Sequence, residues 1–311
     1  MPRLVRIGSR ESSLALWQAK FIAHLLNEQG VDSELILVKS EGDINLTAPL
    51  YEMGVQGIFT KTLDAALLSD QIDIAVHSLK DVPTLLPAGL QIAAIPERAS
   101  VRDVLVYKDP AFRVDGNKQQ VIATSSLRRK AQWLNRYPNH ELETIRGNIN
   151  TRLSKLQNTQ HWDAALFAAA GINRIGLEAT HQLALDWMLP APAQGALGIV
   201  CHTGDEEIEI LCGALNHPET AFCVGVERAF LRHLRGGCSM PVGALAVARE
   251  NVVHFTGNIL SLDGVRKVEV EMNFSKQDAE AAGKKAASAL LEQGGDRIAL
   301  ELKKYMTSLP E

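Results

Sequence analysis

The stretch IDIAVHSLKDVP, residues 72–83, decides how this chain is expected to fold. Its first five residues are mostly apolar, which is typical of a short buried strand. A polar run begins where the strand ends, and in α/β sheets such positions line the ligand crevice. Lys80 and Asp81 therefore form a compact pair of opposite charges at a strand end. Asp81 can accept hydrogen bonds, stabilise a cation or carry a proton there, unless the pair is only a surface salt bridge.

Around this stretch, strand and helix patterns alternate through the first hundred residues. Helical periodicity begins at Ser12 or Ser13, ends at Gly30, and returns at residues 58–68. Further strands are expected at residues 4–8, 34–38 and 90–95. This βαβ series predicts an α/β domain with a parallel sheet and helices on both faces.

A second series of the same kind begins near Val101. Its strands are predicted at residues 104–107, 121–124, 143–145 and 163–167, and its helices at residues 127–136 and 150–156. Residues 190–195 indicate a crossing linker, after which residues 196–200 can return to the first sheet as a strand. Two α/β domains joined by two crossings are expected to be arranged like the lobes of periplasmic binding proteins, with a ligand cleft between them.

The last third of the chain has a different pattern. A helix over residues 216–234 precedes strands at residues 244–248, 252–260 and 265–274 and a final helix at residues 277–291. This order predicts a small α+β domain. The expected domains are therefore residues 1–97 with 196–214, residues 98–195, and residues 215–311.

The composition excludes several classes of protein. The 311 residues are 46% hydrophobic and 22% charged, as in soluble globular proteins. Neither a signal-peptide pattern nor an apolar run of about 20 residues is found, so a cytoplasmic location without a membrane partner is expected. Four cysteines without a CxxC pair and nine scattered histidines argue against a disulfide framework or a metal site. The chain has no GxxxxGK[ST] loop, which disfavours a nucleoside triphosphate.

The net charge of −4 conceals a basic middle. Residues 97–174 hold nine Arg and four Lys against seven acidic residues, a net +6, so the rest of the chain carries −10. This asymmetry predicts an anionic ligand held by one domain. Nucleic acid is disfavoured, because the chain as a whole is acidic and its basic residues are not interleaved with aromatic ones.

Several of these basic residues follow predicted strands. TSSLRR at residues 124–129 and RGNINTR at residues 146–152 each join a strand to a helix, and Arg174 follows the next strand. GSRESS at residues 8–13 does the same in the first domain, although a serine there can simply cap the helix. Three strand ends thus bring arginine to one sheet edge, which predicts a shared site for a ligand with several carboxylates or phosphates.

Cys238 differs from the other three cysteines. It lies in RGGCSMP, residues 235–241, where two glycines and a proline predict an exposed loop. Its thiol is either reactive or modified, or merely tolerated there. Cys201, Cys212 and Cys223 lie in apolar patterns and are expected to be buried.

Taken together and in this order, the motifs resemble the porphobilinogen deaminase family, whose members are also called hydroxymethylbilane synthases. The resemblance covers nearly the whole chain. It also includes GD at residues 42–43, TRL at residues 151–153, QGA at residues 194–196 and GGC at residues 236–238. Each motif alone is weak, and the ordered set is specific.

The resemblance implies a monomeric transferase of heme biosynthesis. It would join four porphobilinogen units head to tail into hydroxymethylbilane, with loss of one ammonia from each. Cys238 would hold a dipyrromethane primer through a thioether, and neither a metal nor a nucleotide would be needed. Each pyrrole unit carries two carboxylates, so the growing chain is the kind of polyanion that the basic middle suits.

The resemblance also implies a role for each motif residue. Asp81 and Lys80 would be catalytic, because Asp81 would bond the pyrrole N–H groups and stabilise the developing cation. The primer would be held by Cys238 together with Asp43, Ser78, Lys80, Asp81, Thr124, Ser126, Arg128 and Arg129. Carboxylates of the substrate and the growing chain would be bound by Arg10, Ser12, Lys61, Arg146, Arg152, Arg174 and Gln194.

The chain departs from the family pattern in places. Gln56 stands where the family loop has a lysine, so we expect this loop to hold an anion less tightly. Ala123 and Asn150 replace common glycines, and the neighbours of the cysteine, Arg235 and Ser239, are unusual.

Two other functions remain compatible with the residues alone. A two-lobed carboxylate-binding protein without catalysis would have the same lobes and the same arginine-lined cleft. A cysteine-dependent acyl transferase would need a base near Cys238, and His233 is the nearest histidine in the sequence.

Overall fold

The structure is a computed structural model that describes residues 3–39, 60–176, 181–234 and 240–308. Its first sheet has the strand order β2-β1-β3-β10-β4. The strands are β1 (Val5–Ser9), β2 (Ser33–Leu37), β3 (Ile74–Ser78), β4 (Leu90–Ala94) and β10 (Leu197–His202). The helices of this unit are α1 (Ser13–Glu28), α2 (Lys61–Leu68) and α6 (Glu206–Gly213). One core cluster beneath it joins α1 to the sheet through Ile7, Ile22 and Ile199.

The second sheet has the same plan, with the order β7-β6-β8-β5-β9. Its strands are β5 (Asp103–Tyr107), β6 (Val121–Ala123), β7 (Glu141–Glu143), β8 (Ala164–Ala168) and β9 (His181–Ala184). Its helices are α3 (Leu127–Arg136), α4 (Ile149–Asn158) and α5 (Ala169–Arg174). Trp133 of α3 is fully buried against this sheet and donates a 3.1 Å hydrogen bond from Nε1 to His140 Nδ1.

The prediction of parallel sheets is wrong in one respect, because each sheet contains one strand that is antiparallel to its neighbours. In the first sheet β10 is antiparallel to β3 and β4, and in the second β5 is antiparallel to β8 and β9. Each reversed strand directly follows a crossing from the other unit, so it enters its sheet at the edge that faces the cleft. The starts of β5 and β10 therefore lie beside the carboxyl ends of their neighbours, as the pairs Asp103–Ala168 and Leu197–Ser78 show.

The third unit is a three-stranded antiparallel sheet packed against helices. It comprises α7 (Pro218–His233), β11 (Val242–Arg249), β12 (Val252–Leu260), β13 (Lys267–Ser275), α8 (Ala279–Leu290) and α9 (Asp296–Thr307). Phe230 of α7 and Phe255 of β12 meet edge to face in its core at a centroid distance of 5.0 Å. The expected class, two α/β units with a cleft and a small α+β unit, is thus confirmed, and the exact domain boundaries stay predictions.

Two local predictions were incorrect. The strand expected at residues 143–145 lies at Glu141–Glu143, because β6 is only three residues long and offers no partner further on. The Ile145 carbonyl accepts a hydrogen bond from the Ser125 hydroxyl instead. The final helix is followed by a second one, α9, after a turn in which Gly294 has a φ of 101°.

A buried carboxylate of the third unit holds the two crossings together. Glu227 of α7 is fully buried. Its carboxylate accepts hydrogen bonds from Arg98 Nη1 at 2.7 Å and from Arg98 Nη2 at 2.9 Å. It also accepts the backbone N–H of Ala193 at 2.7 Å and of Ala246 at 2.8 Å. Arg98 belongs to the first crossing and Ala193 to the second, so one side chain fixes both crossings against β11.

The crossings also touch each other directly. Gly195 has a φ of 87°, and a Cβ there would lie 2.6 Å from the Ala99 carbonyl oxygen and 2.7 Å from that of Ser100. Ala99 donates its backbone N–H to the Gly195 carbonyl at 3.2 Å. Both the backbone conformation and the space at this position therefore require glycine.

We expect Glu227→Gln to destabilise the protein by about 3–5 kcal/mol, because it leaves the buried Arg98 guanidinium without its counter-charge. Chemical denaturation of the two proteins measures the difference. Glu219→Gln is the matched control, since Glu219 pairs with Lys276 at 2.9 Å on the exposed surface and should change stability by no more than about 1 kcal/mol. Equal effects of the two variants would contradict a structural role for the buried pair.

Candidate active site

A cavity of about 240 Å³ lies between the two α/β units, at the edge where their strands end. It brings together nine of the site residues predicted from the sequence. They are Arg10, Ser12, Ser78, Lys80 and Asp81 from the first unit and Arg129, Arg146, Arg152 and Arg174 from the second. Asp81 is the one acidic side chain among the described residues that line this cavity.

The first unit supplies the carboxylate and a cation from a tight turn. A 3₁₀ turn, Leu79–Asp81, follows β3 directly, and the fully buried Leu79 anchors it. Lys80 is half-buried in the cleft wall, and burial lowers its pKa to about 8 although the nearby Asp81 charge acts in the opposite direction. Asp81 itself is exposed to the cleft. Ser12 caps α1 by accepting the Ala15 N–H at 3.3 Å, so its predicted capping role is seen.

A buried carboxylate that we did not single out from the sequence organises the second unit. Asp103 is fully buried and accepts Arg128 Nη1 at 2.6 Å and Arg129 Nη2 at 2.8 Å. Gln194 Nε2 donates to the same carboxylate at 3.0 Å. These cations, with Lys80 nearby, hold the pKa of Asp103 far below its usual range despite its burial. Arg128 and Arg129 are thus paired inside the protein before any ligand binds.

Further arginines extend the cationic wall of the cavity. Burial, and then repulsion from Arg129 and Arg146, lowers the pKa of Arg152 to about 10. Burial alone lowers that of Arg174 to about 10. Arg174 donates to the Gly195 carbonyl at 2.6 Å, and its guanidinium lies 5.7 Å from the centroid of the Trp17 ring. Such a wall favours a ligand that brings several negative charges.

Five other predicted residues that the structure describes do not line this cavity. Thr124 accepts the Ser126 N–H, and Ser126 caps α3 by accepting the Arg129 N–H at 3.4 Å. Arg128 and Gln194 are buried in the Asp103 network, and Lys61 begins α2. Asp43, Gln56 and Cys238, with its neighbours Arg235 and Ser239, lie outside the described residues.

The structure adds polar contacts in and beside the cleft that the sequence did not suggest. Asn150 Nδ2 donates to Ser13 Oγ at 3.1 Å, which joins the first turns of α4 and α1 across the cleft. Gln18 is buried on α1 and donates to Ser78 Oγ at 2.7 Å. Their polar character on helix faces near the predicted cleft was the available signal, and it is weak because such residues are common in helices.

The expectation that three cysteines are buried is confirmed. Cys201, Cys212 and Cys223 are free thiols inside the protein, and burial raises their pKa values to about 11, 12 and 11. They are therefore poor nucleophiles near neutral pH. Among the described residues no group of three or more metal-ligating side chains exists, and no helix there is long and apolar enough to cross a membrane.

Comparisons with known proteins agree with the motifs. The family model described as "Porphobilinogen deaminase, dipyromethane cofactor binding domain" matches residues 5–210, and the one described as "Porphobilinogen deaminase, C-terminal domain" matches residues 221–292. The porphobilinogen deaminase of Cytophaga hutchinsonii is 42% identical over 99% of both chains. That of Chlorobium phaeovibrioides is 40% identical over 98% of this chain and 99% of its own.

Solved structures with a similar arrangement are more distant. A periplasmic substrate-binding protein of an ABC transporter from Coxiella burnetii gives a TM-score of 0.43 at 12% identity, over 70% of this chain and 94% of its own. The periplasmic aliphatic sulphonate binding protein SsuA of Escherichia coli gives 0.38 at 14% identity, over 76% and 71%.

We expect Asp103→Asn to destabilise the protein at neutral pH and to have less effect in acid. The folded state lowers the pKa of Asp103, so its contribution is complete above the ordinary aspartate pKa of about 4 and declines as pH falls below it. Denaturation of both proteins at a series of pH values measures this. Asp186→Asn removes an exposed partner of Arg102 and should show no such convergence with the wild type. A stability difference that stays constant into acid would contradict the assignment.

Proposed function

The chain belongs to the porphobilinogen deaminase family, and from that premise we propose how its cleft joins four porphobilinogen units into hydroxymethylbilane. The members of this family are enzymes of porphyrin biosynthesis that use a dipyrromethane cofactor, and porphobilinogen is their substrate. One observation supports the proposal most strongly. Among the described residues, six cations from both α/β units and one carboxylate, that of Asp81, line one cavity.

The residues of the cleft fit dipyrromethane. Each of its two rings carries two carboxylates and one N–H, so it requires cationic donors and a hydrogen-bond acceptor at the same place. Lys80 and Arg129 line the cavity and would contact the carboxylates, whereas Arg128 would act from behind by sharing Asp103 with Arg129. When bound, the dipyrromethane supplies the pyrrole α-carbon to which the first substrate is joined.

The attachment of the cofactor to Cys238 is a proposal that rests on the family resemblance. The burial of the other three thiols supports it, because they are unsuited to carry a large group. Asp43, Ser78, Thr124 and Ser126 remain proposed cofactor ligands. Thr124 and Ser126 would act mainly by shaping the turn from which α3 begins.

Substrate carboxylates would be bound by the wall opposite Asp81. Arg10 and Ser12 from the first unit and Arg146, Arg152 and Arg174 from the second line the same cavity, so they can bind one ligand from both sides. Lys61 and Gln194 remain proposed contacts, although Gln194 is buried and donates from Nε2 to Asp103 at 3.0 Å. This distribution would orient each incoming porphobilinogen by its acetate and propionate groups.

Asp81 would act on the pyrrole itself. Its carboxylate would accept the pyrrole N–H of the substrate and stabilise the positive charge that develops as ammonia leaves. Lys80, the adjacent cation, would hold a carboxylate close to Asp81. In this scheme the chain is a transferase, and we propose that it acts as a cytoplasmic monomer without nucleic acid or membrane partners.

The alternative of a carboxylate-binding protein without catalysis is not favoured. The two family models together match residues 5–210 and 221–292, which includes the third unit. An acyl transferase is disfavoured by the same family match over the third unit.

We expect the intact mass of the purified protein to include a covalent dipyrromethane that is absent in Cys238→Ser. The Cys238 thiol is the proposed attachment point, and serine at this position has no sulfur to form the thioether. Cys223→Ala is the matched control and should keep the adduct, because this thiol is buried in the third unit. A folded wild type without an adduct that makes no tetrapyrrole from porphobilinogen would overturn the function, and an adduct that persists in Cys238→Ser would overturn the attachment site.

We expect kcat/KM for porphobilinogen to decline as pH rises above about 8. Burial lowers the pKa of Lys80 to about 8, so the enzyme loses this positive charge as pH passes that value, and the cofactor carboxylate that Lys80 holds beside Asp81 loses its partner. Lys80→Arg should move the alkaline decline upward, because guanidinium stays protonated to a pH of about 12. Lys20→Arg, on the exposed face of α1, should leave the profile unchanged. A profile that is identical in all three proteins would contradict this role of Lys80.

A further inference from the structure

A side pocket of about 40 Å³ adjoins the cleft in the first unit. The two cavities share Arg10, Leu14, Ser78 and Asp81 in their walls, so the side pocket borders the carboxylate at the centre of the site. A cavity needs about 10–15 Å³ to admit a water molecule. The side pocket therefore has room for a water-sized molecule and is too small for a substituted pyrrole ring.

His77 lines this pocket and has one ring nitrogen without a hydrogen-bond partner among the described residues. The side chain is only 6% exposed and lines the pocket, and no described residue offers a hydrogen-bond partner to its Nε2 atom. Burial, together with the Arg10 charge, lowers its pKa to about 4, so the imidazole is neutral. Leaving a buried polar atom without a partner is unfavourable. Because the His77 side chain lines the pocket, a molecule held there is the candidate partner for Nε2.

The rest of the wall defines the chemistry of the occupant. Ser78, whose hydroxyl already accepts Gln18 Nε2 at 2.7 Å, and Thr60 add polar atoms, while Leu63 and Val76 are apolar. The two charged groups in the wall, Arg10 and Asp81, have opposite signs. An unscreened ion of either sign would meet one repulsive neighbour, whereas a neutral molecule with a donor and an acceptor would meet none.

We propose that this side pocket receives the ammonia released from each porphobilinogen, with His77 as its hydrogen-bond partner. The inference rests on the proposed function. The carbon–nitrogen bond of the protonated aminomethyl group breaks, and both of its electrons stay on nitrogen. The products are neutral NH₃ and a pyrrole–methylene fragment that keeps the positive charge, so atoms, electrons and charge balance without an added reagent.

The position of the pocket explains why such a site is useful. The positive fragment faces Asp81, and ammonia that remained beside its methylene carbon could recombine with it. A neighbouring pocket that accepts a neutral molecule removes ammonia from the reacting carbon without opening the cleft. His77 therefore acts on the leaving group, separately from the cationic wall that binds carboxylates.

The test measures inhibition by added ammonium chloride against potassium chloride of equal concentration at fixed pH. Loss of one hydrogen bond corresponds to about 1.4 kcal/mol, so His77→Leu should raise the inhibition constant of ammonia about 10-fold. His77→Gln keeps a polar group and should stay within about threefold, since its amide can reach the same molecule. The KM for porphobilinogen should change less than about twofold in both, because the carboxylate contacts are elsewhere.

Asn150→Ala is the matched control. Asn150 lines the main cleft and not the side pocket, so its substitution should leave the inhibition constant of ammonia unchanged even if turnover changes. Should His77→Leu fail to fold, His77→Asn decides the same question, because its shorter amide should bind ammonia more weakly than the His77→Gln amide.

A second readout does not depend on activity. In a crystal structure of the cofactor-loaded enzyme, we expect an ordered water within about 3 Å of His77 Nε2, and its loss in His77→Leu. A dry pocket would overturn the inference, as would a wild type that ammonia inhibits no more than potassium chloride does. An unchanged inhibition constant in His77→Leu would overturn it while leaving the function intact. A wild type that makes no tetrapyrrole would instead overturn the function itself.

Discussion

The cleft depends on the burial of one carboxylate, Asp103. Its two oxygens accept hydrogen bonds from Arg128, Arg129 and Gln194, which come from two different elements of the chain. A cluster of arginines beside Lys80 would otherwise be held apart by repulsion and desolvation. With Asp103 in place, Arg129 can form part of the cavity wall while its charge is partly balanced from within. The remaining positive charge is then available to a ligand that brings carboxylates of its own.

Sequence reasoning located the strand ends well and the partners of the arginines poorly. Lys80 and Asp81 could be predicted because they follow a strand whose apolar residues are continuous, and Arg146 and Arg152 because they lie where a predicted strand gives way to a helix. Asp103 could not, because it starts a strand rather than ending one. It lies beside the carboxyl end of β8 because β5 is antiparallel to its neighbours, and strand direction depends on the crossings rather than on local pattern. For the same reason Arg128 was predicted to contact the ligand directly, whereas its guanidinium donates to Asp103, 25 positions earlier in the chain.

The third unit contacts both the crossings and the turn that carries Asp81. Glu227 fixes both crossings, and the neighbouring Arg228 donates to the carbonyls of Val82 at 3.0 Å and Pro83 at 2.7 Å, directly after the turn that carries Asp81. One helix, α7, therefore contacts both the crossings and the turn that carries Asp81. A change in the position of the third unit would be transmitted to the cleft, so the unit proposed to carry the cofactor is linked by contacts to the proposed catalytic carboxylate.

The contact between Gly195 and the Ala99 and Ser100 carbonyls has a consequence for motion. Two chain segments that touch at a glycine, and that share an anchor at Glu227, can rotate about that point but cannot easily slide or separate. Any rotation of one lobe against the other would pivot at this contact. Such a rotation would have to break or stretch the hydrogen bond between Asn150 and Ser13, which joins the two lobes across the cleft. Arg174, bonded to the Gly195 carbonyl, would keep its place as the product grows.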